Sequence, residues 1–245
     1  MMFTIRSGSM TAVIDSVGAQ LMSLQSSDGT QYLWQGDPKY WPDRSLTIFP
    51  YVARLTDGCY RYRGELYHMP IHGFAPTAEF FAAEQTDAAI TFVLESCPAF
   101  YEQYPFLFRY SIRYRLENAT LHVEITVENK DEKTMHFGLG GHPGINVPLE
   151  EGLRFEDYVI EVPPCQPRRM EFTPACFITG RELPFPMECN QLPLSHHMFD
   201  EDAIVLKGIP GKVTLKSSKG HRGVTLMAPD FPIFGFWHMP KTDAP

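Results

Sequence analysis

The chain has 245 residues and a formal net charge of −8 at pH 7, with 44% hydrophobic and 20% charged residues. This net negative charge gives no electrostatic reason to expect nucleic acid or an anionic membrane as a partner. The length is sufficient for one large hydrophobic core, so we expect a single domain over residues 1–245.

The apolar runs of the sequence are short. The N-terminal stretch MMFTIRSGSM lacks a long apolar core, and no later stretch approaches the length of a membrane span. The five cysteines are widely spaced and form no C-x-x-C pair. They are typical of reduced thiols, so we expect a cytoplasmic protein.

Alternating patterns predict strands along most of the chain. Ala12–Leu24 carries short apolar runs around Gly18, which predict two strands and a bend. Phe106–Leu116 alternates aromatic and aliphatic residues with arginine and serine, and Leu121–Val127 alternates again after a turn at Asn118. These two runs predict a long antiparallel hairpin with one face buried.

The later apolar runs are shorter and lie between turn residues. Ala203–Leu206, Val213–Leu215, Val224–Met227 and Ile233–Trp237 are each predicted strands. Helical periodicity is scarce, and 21 prolines and 18 glycines punctuate the chain. The sequence therefore predicts an all-β protein built as a large antiparallel β-sandwich.

One stretch, MHFGLGGHPGINVPL over Met135–Leu149, places a histidine between a glycine pair and a proline. We predict a strand over Met135–Leu139, followed by a turn at the glycine pair. His142 would then sit on a stiff bend at the end of a strand. Such an imidazole suits proton transfer near neutral pH, whereas the alternative is a core histidine close to a turn.

Two further stretches carry polar residues among apolar neighbours. Arg54 lies in IFPYVARL, and a partly buried arginine there would need a substrate hydroxyl or a structural carboxylate as acceptor. His72 lies in IHGFAPTAEF, where it is either a donor to a ligand or a loop histidine without a role.

The order of five motifs resembles the aldose 1-epimerase (galactose mutarotase-like) family, in particular its bacterial mutarotase-related branch. The motifs are FPYVARL, DGCYRYRGELYHMPIHGFA, GLGGHPGINVPLEEGLRFEDY, FDEDAIVLKG and FGFWHMPKTDAP, and the resemblance runs from about Trp34 to Pro245. It implies a β-supersandwich and an isomerase that interconverts α and β anomers of a hexose or close derivative. It also implies a monosaccharide partner and no metal or cofactor.

By motif match, the resemblance assigns His142 as the acid that protonates the ring oxygen of the sugar. It places Arg54 and His72 beside it as substrate-binding residues. It assigns Asp202, or its neighbour Asp200, as the carboxylate that holds sugar hydroxyls. Trp237 either lines the cleft or packs in the core.

The sequence departs from the family pattern at its C-terminal end. In the family a glutamate in an I-E-P-W-like strand acts as the base soon after the W-x-x-P segment. Trp237–Pro240 is present here, but no glutamate in the printed sequence occupies that motif. We therefore expect the final strands of the domain, with the base, to lie beyond Pro245.

Two other readings remain open on the sequence alone. A carbohydrate-binding protein of the same fold would keep Arg54, His72 and Asp202 but would not catalyse anomer exchange. A metal site formed by His72, His142 and the pair His196–His197 is disfavoured, because their spacing fits no common zinc pattern.

Overall fold

The computed structural model of the protein describes residues 1–244, and it is nearly all β. Within that range one short α-helix, α1 (Pro98–Tyr101), and five single-turn 3-10 segments are the only helical structure. The predicted all-β class is confirmed. No helix in the described range is long and apolar enough to cross a membrane. The last residue of the C-terminal motif, Pro245, lies outside the described residues.

The chain divides into two compact units, the first formed by residues 1–36 and 42–145 and the second by residues 37–41 and 146 onward. The strands of the first unit are β1 (Met2–Ser7), β2 (Met10–Asp15), β3 (Leu21–Ser26), β4 (Ser45–Ile48), β5 (Cys59–Tyr62), β6 (Glu65–His68), β7 (Phe81–Gln85), β8 (Ala89–Glu95), β9 (Phe108–Glu117), β10 (Thr120–Asn129) and β11 (Gly140–Pro143).

The first unit contains four antiparallel sheets, with strand orders β10-β9-β8-β7, β1-β2-β3, β11-β4 and β5-β6. Its longest hairpin is β9–β10, in which Glu117 faces Thr120 across the turn. This is the hairpin that the alternating sequence predicts. The two strands predicted within Ala12–Leu24 are also confirmed, because β2 and β3 pair on either side of Gly18.

The core of the first unit is built on β9. Every second side chain along it is buried, from Phe108 through Leu116. The partner strand β10 lies at the edge of its sheet, and there the alternation is weaker, with Val123 48% exposed. An edge strand has one neighbour fewer to cover it, so the prediction of one continuous buried face holds for β9 more fully than for β10.

Phe49, directly after β4, is fully buried in an aromatic cluster. Its ring stacks on that of Tyr110 at 4.5 Å and meets the edge of Phe108 at 5.2 Å and of Phe74 at 6.0 Å. Aromatic pairs in these geometries stabilise a core beyond the area that they bury. Phe49 therefore anchors the end of β4 and the loop that follows it.

The predicted strand over Met135–Leu139 is wrong, and so is the predicted turn at Gly140–Gly141. Residues 135–139 form no ladder, and Gly138 instead donates its N–H to the loop carbonyl of Pro50 (2.7 Å). Both glycines begin β11, and neither has a positive φ. The strand therefore starts where the turn was expected, because β4 offers a free edge to pair with.

The second unit contains two four-stranded antiparallel sheets, with strand orders β15-β12-β17-β18 and β14-β13-β16-β19. Their strands are β12 (Tyr158–Glu161), β13 (Arg168–Phe172), β14 (Ile178–Pro184), β15 (Gln191–Pro193), β16 (Ile204–Lys207), β17 (Lys212–Ser217), β18 (Gly223–Met227) and β19 (Ile233–Phe236). The four strands predicted in this part of the sequence correspond to β16, β17, β18 and β19.

A substitution at Gly73 can show how closely the loop that carries His72 packs against the end of β4. Its φ is +77°, and a Cβ there would lie 2.1 Å from the carbonyl oxygen of Phe49. Gly64 has a comparable φ of +92° but open space around it. We expect Gly73→Ala to lower the free energy of unfolding by about 3 kcal/mol or more and Gly64→Ala by about 1 kcal/mol, as measured by urea denaturation. Equal losses would show that the close approach does not matter.

Candidate active site

The β4–β11 ladder determines where His142 lies. In its register His142 is opposite Leu46, one residue pair away from the end of the two-stranded sheet. His142 and Gly140 share the half-buried face of β11, while Gly141 between them is exposed. His142 is therefore an inward-facing strand residue, and its direction is set by backbone hydrogen bonds rather than by a bend.

His72 lies in the loop that packs against the segment following β4. Its backbone N–H donates to the carbonyl of Ala53 (2.9 Å), and the N–H of Ala53 donates to Nδ1 of the His72 ring (3.2 Å). Both residues have a positive φ, 67° for Ala53 and 66° for His72. The two loops are thus joined by a reciprocal contact that determines the position of the imidazole.

The rings of His72 and His142 form an edge-to-face pair with centroids 5.7 Å apart. Burial, the neighbouring His142 and the positive charge of Arg54 together lower the pKa of His72 to about 4. His72 is consequently neutral at physiological pH. The structure thus brings together three residues that the sequence predicts for the site.

Burial also lowers the pKa of His142. A hydrogen bond to its own backbone and the negative charge of Asp43 oppose this effect. Asp43 comes close because the ladder continues past β11, where Gly144 donates its N–H to the carbonyl of Arg44 (2.8 Å). Asp43 is therefore the carboxylate that stabilises the protonated form of His142.

Arg54 is exposed, so the partial burial expected from its apolar neighbours is wrong. Residues 51–54 form a loop rather than a strand, and Ala53 before it takes a left-handed conformation. Within residues 1–244 the guanidinium has no carboxylate partner. Its donors are available to a ligand, and its charge acts on His72.

Asp202 belongs to the second unit and already has partners there. One carboxylate oxygen accepts the N–H of Ala203 (2.8 Å), and the other accepts the thiol of Cys176 (2.9 Å). The alternative carboxylate, Asp200, accepts the N–H of Lys241 (3.2 Å). Each ionised oxygen has a further lone pair, so either residue can still accept from a hydroxyl.

The remaining predicted residues also lie in the second unit. Trp237 is half-buried and meets Trp41 edge to face at 6.1 Å. His196 is hydrogen-bonded to Glu156 (2.6 Å) and to the carbonyl of Ala244 (3.1 Å), and its neighbour His197 is exposed. Among the described residues no group of three metal-ligating side chains is placed to hold an ion.

Two contributors to the site are not marked by the sequence as functional residues. Asp43 comes before the FPYVARL motif, and nothing in its neighbours marks it as acting on His142. Ala53 contributes through its backbone, and its contact with His72 spans 19 positions in sequence. A search for polar side chains overlooks such a residue, because only the fold brings its N–H to the ring.

The chain is similar to known proteins in sequence. The family model described as aldose 1-epimerase matches residues 1–235. Protein LacX (plasmid) of Lactococcus lactis subsp. lactis is 32% identical over 241 residues, which cover 93% of this chain and 80% of that protein.

Two solved structures are similar over nearly the whole chain. The galactose mutarotase related enzyme from Lactobacillus acidophilus is 32% identical, with a TM-score of 0.92, covering 99% of this chain and 82% of that one. The galactose mutarotase-like protein from Lactobacillus casei ATCC 334 is also 32% identical, with a TM-score of 0.93, covering 100% of this chain and 85% of that one. The fold is thus galactose mutarotase-like.

The lowered pKa of His72 predicts a loss of stability in acid. Between the ordinary value of 6.5 and the folded value of about 4, the unfolded chain binds the proton more readily. The free energy of unfolding therefore decreases as the pH falls through this window. The difference in pKa corresponds to about 3 kcal/mol at most, which solvent screening of a half-buried ring reduces to about 1–2 kcal/mol.

Urea unfolding across that pH window measures this loss directly. We expect His72→Gln to show a flatter decline than the parent protein, by about 1–2 kcal/mol. The matched control is His68→Gln, which replaces an exposed histidine at the end of β6 and should keep the parent slope. If the free energy of unfolding fell equally with pH in the parent protein and in His72→Gln, the assigned role of His72 in this loss of stability would be wrong.

Proposed function

The chain belongs to the aldose 1-epimerase family, and on that premise we propose that it interconverts the α and β anomers of a free hexose. The reaction opens and closes the sugar ring by acid–base catalysis and needs no metal or cofactor. The observation that carries this proposal is the pair of histidine rings with centroids 5.7 Å apart, each on a backbone segment held by hydrogen bonds. At this separation His142, as the acid, and His72, as a hydrogen-bond donor, would contact neighbouring oxygens of one sugar.

In the proposed reaction His142 donates a proton to the ring oxygen of the sugar. The bond between the anomeric carbon and the ring oxygen breaks as a base removes the proton from the anomeric hydroxyl. The resulting aldehyde rotates about the bond between C1 and C2, and closure on the other face returns both protons. Each group reverses its role within one turnover, as general acid–base catalysis requires.

The environment of His142 suits the acid role. Because burial lowers its pKa, the protonated ring is a stronger acid than a solvent-exposed imidazolium. The negative charge of Asp43 opposes that effect and favours the protonated form. Catalytic efficiency depends on both the acidity and the population of that form.

The other predicted residues bind the substrate in this proposal. Arg54 and His72 donate hydrogen bonds to sugar oxygens, and Asp202 accepts from sugar hydroxyls. The base is a carboxylate in the family pattern, and no glutamate within residues 1–245 matches its motif. The proposal therefore assigns the acid and the binding residues, and leaves the base to experiment.

We also propose a reducing, cytoplasmic location for this activity. None of the five cysteines forms a disulfide in the described residues. In an oxidising compartment, a chain with this number of cysteines would be expected to form disulfides. A cytoplasmic protein would meet free hexoses released inside the cell.

Replacement of the acid provides the test of the assigned chemistry. We expect His142→Gln to slow anomer equilibration of glucose or galactose, followed by polarimetry, by about 10²–10⁴-fold. Sugar affinity, measured by calorimetry, should change little because Arg54 and His72 remain. His68→Gln is the control and should retain the parent rate.

The same measurements separate the proposal from its alternative. Sugar binding by the parent protein without any acceleration of anomer exchange would identify a carbohydrate-binding protein of the same fold. Acceleration that survives in His142→Gln would place the acid elsewhere. Acceleration lost in His142→Gln alone would show that the base also comes from within these 245 residues.

A further inference from the structure

The reciprocal contact between Ala53 and His72 is made by two residues with unfavourable backbone conformations. Each residue has a left-handed φ, which non-glycine residues adopt at some cost in free energy. Such strain persists where the surrounding structure enforces it, and it is concentrated at functional sites. Here the strained backbone of Ala53 aims an N–H at the ring of His72.

This hydrogen bond determines which ring nitrogen carries the proton. A ring nitrogen that accepts an N–H must be unprotonated, so Nδ1 of His72 has no hydrogen. In the neutral imidazole the single proton is then on Nε2. The geometry of the ring directs Nε2–H away from Ala53.

We propose that the backbone amide of Ala53 is a positioning group of this site, which fixes His72 as its Nε2–H tautomer. In this form His72 donates a hydrogen bond to a lone pair of a sugar oxygen and does not take part in proton transfer. His142 is then the only histidine of the pair that exchanges a proton with substrate. This inference rests on the proposed function only for the identity of the ligand.

Three further observations support the assignment. Nε2 of His72 has no hydrogen-bond partner within residues 1–244, so its N–H is available to a ligand. A second proton on the ring would have to lie on Nδ1, where it would be repelled by the N–H of Ala53. That proton would also lie in the field of Arg54, from the same loop, and beside His142 of β11. The contact with Ala53 and the surroundings of that proton both favour the neutral ring.

Nitrogen NMR of the ligand-free protein tests the tautomer directly. In ¹⁵N-labelled protein we expect Nδ1 of His72 to resonate as an unprotonated nitrogen and Nε2 as a protonated one. This pattern should persist from neutral pH down towards the pKa of about 4. The His72→Gln spectrum assigns the signals. A protonated Nδ1, or averaged signals from both tautomers, would overturn the proposal.

Two variants of Ala53 test whether its backbone is the cause. Ala53→Gly keeps the N–H and tolerates the positive φ, so the tautomer should be unchanged. Ala53→Val introduces a β-branched side chain that disfavours this φ, so the N–H should no longer be held against Nδ1 and the ring should become a mixture of tautomers. An unchanged His72 spectrum in a folded Ala53→Val protein would overturn the role of Ala53.

Sugar affinity tests the donor role separately from catalysis. His72→Asn keeps an acceptor near Ala53 but loses the donor at the Nε2 position, whereas His72→Gln keeps an amide N–H near that position. We expect galactose affinity to fall about tenfold in His72→Asn and less in His72→Gln. Equal affinities in the parent and His72→Asn would overturn the donor role. None of these readouts requires turnover, so failure of the proposed catalysis would appear as a separate result.

Discussion

The packing of Phe49 in the core of the first unit is the constraint on which the candidate active site depends. Its ring is fully buried against Tyr110, and its carbonyl is so close to Gly73 that no side chain fits between them. The loop that carries Arg54 leaves the core at this point, and the loop that carries His72 is pressed against it. The position of the polar groups is thus a consequence of aromatic packing beneath them.

Burial then determines the electrostatics of the site. Because both imidazoles are partly removed from water, both pKa values are lowered, and the pair lies beside an exposed arginine. Two rings of the same chemical type nevertheless differ in their surroundings. His72 receives a backbone N–H, whereas His142 lies in the field of Asp43. The reaction that we propose gives the two rings different roles, in keeping with these different neighbours.

The sequence predicts those features that depend on local periodicity. The alternation from Phe106 to Leu116 identifies the central strand correctly, and the motifs identify the family. The start of β11 is not predictable in this way, because a glycine pair is compatible with both a turn and a strand. The exposure of Arg54 and the contact between Ala53 and His72 depend on packing between distant segments. No local pattern encodes contacts of that kind.

The central claim is that this chain accelerates exchange between sugar anomers. Magnetisation transfer between the α and β anomeric protons of galactose measures that exchange at equilibrium, in the presence of the parent protein. The account predicts an exchange rate that rises in proportion to protein concentration. An exchange rate equal to that in buffer at every protein concentration, with line broadening that demonstrates binding, would contradict it.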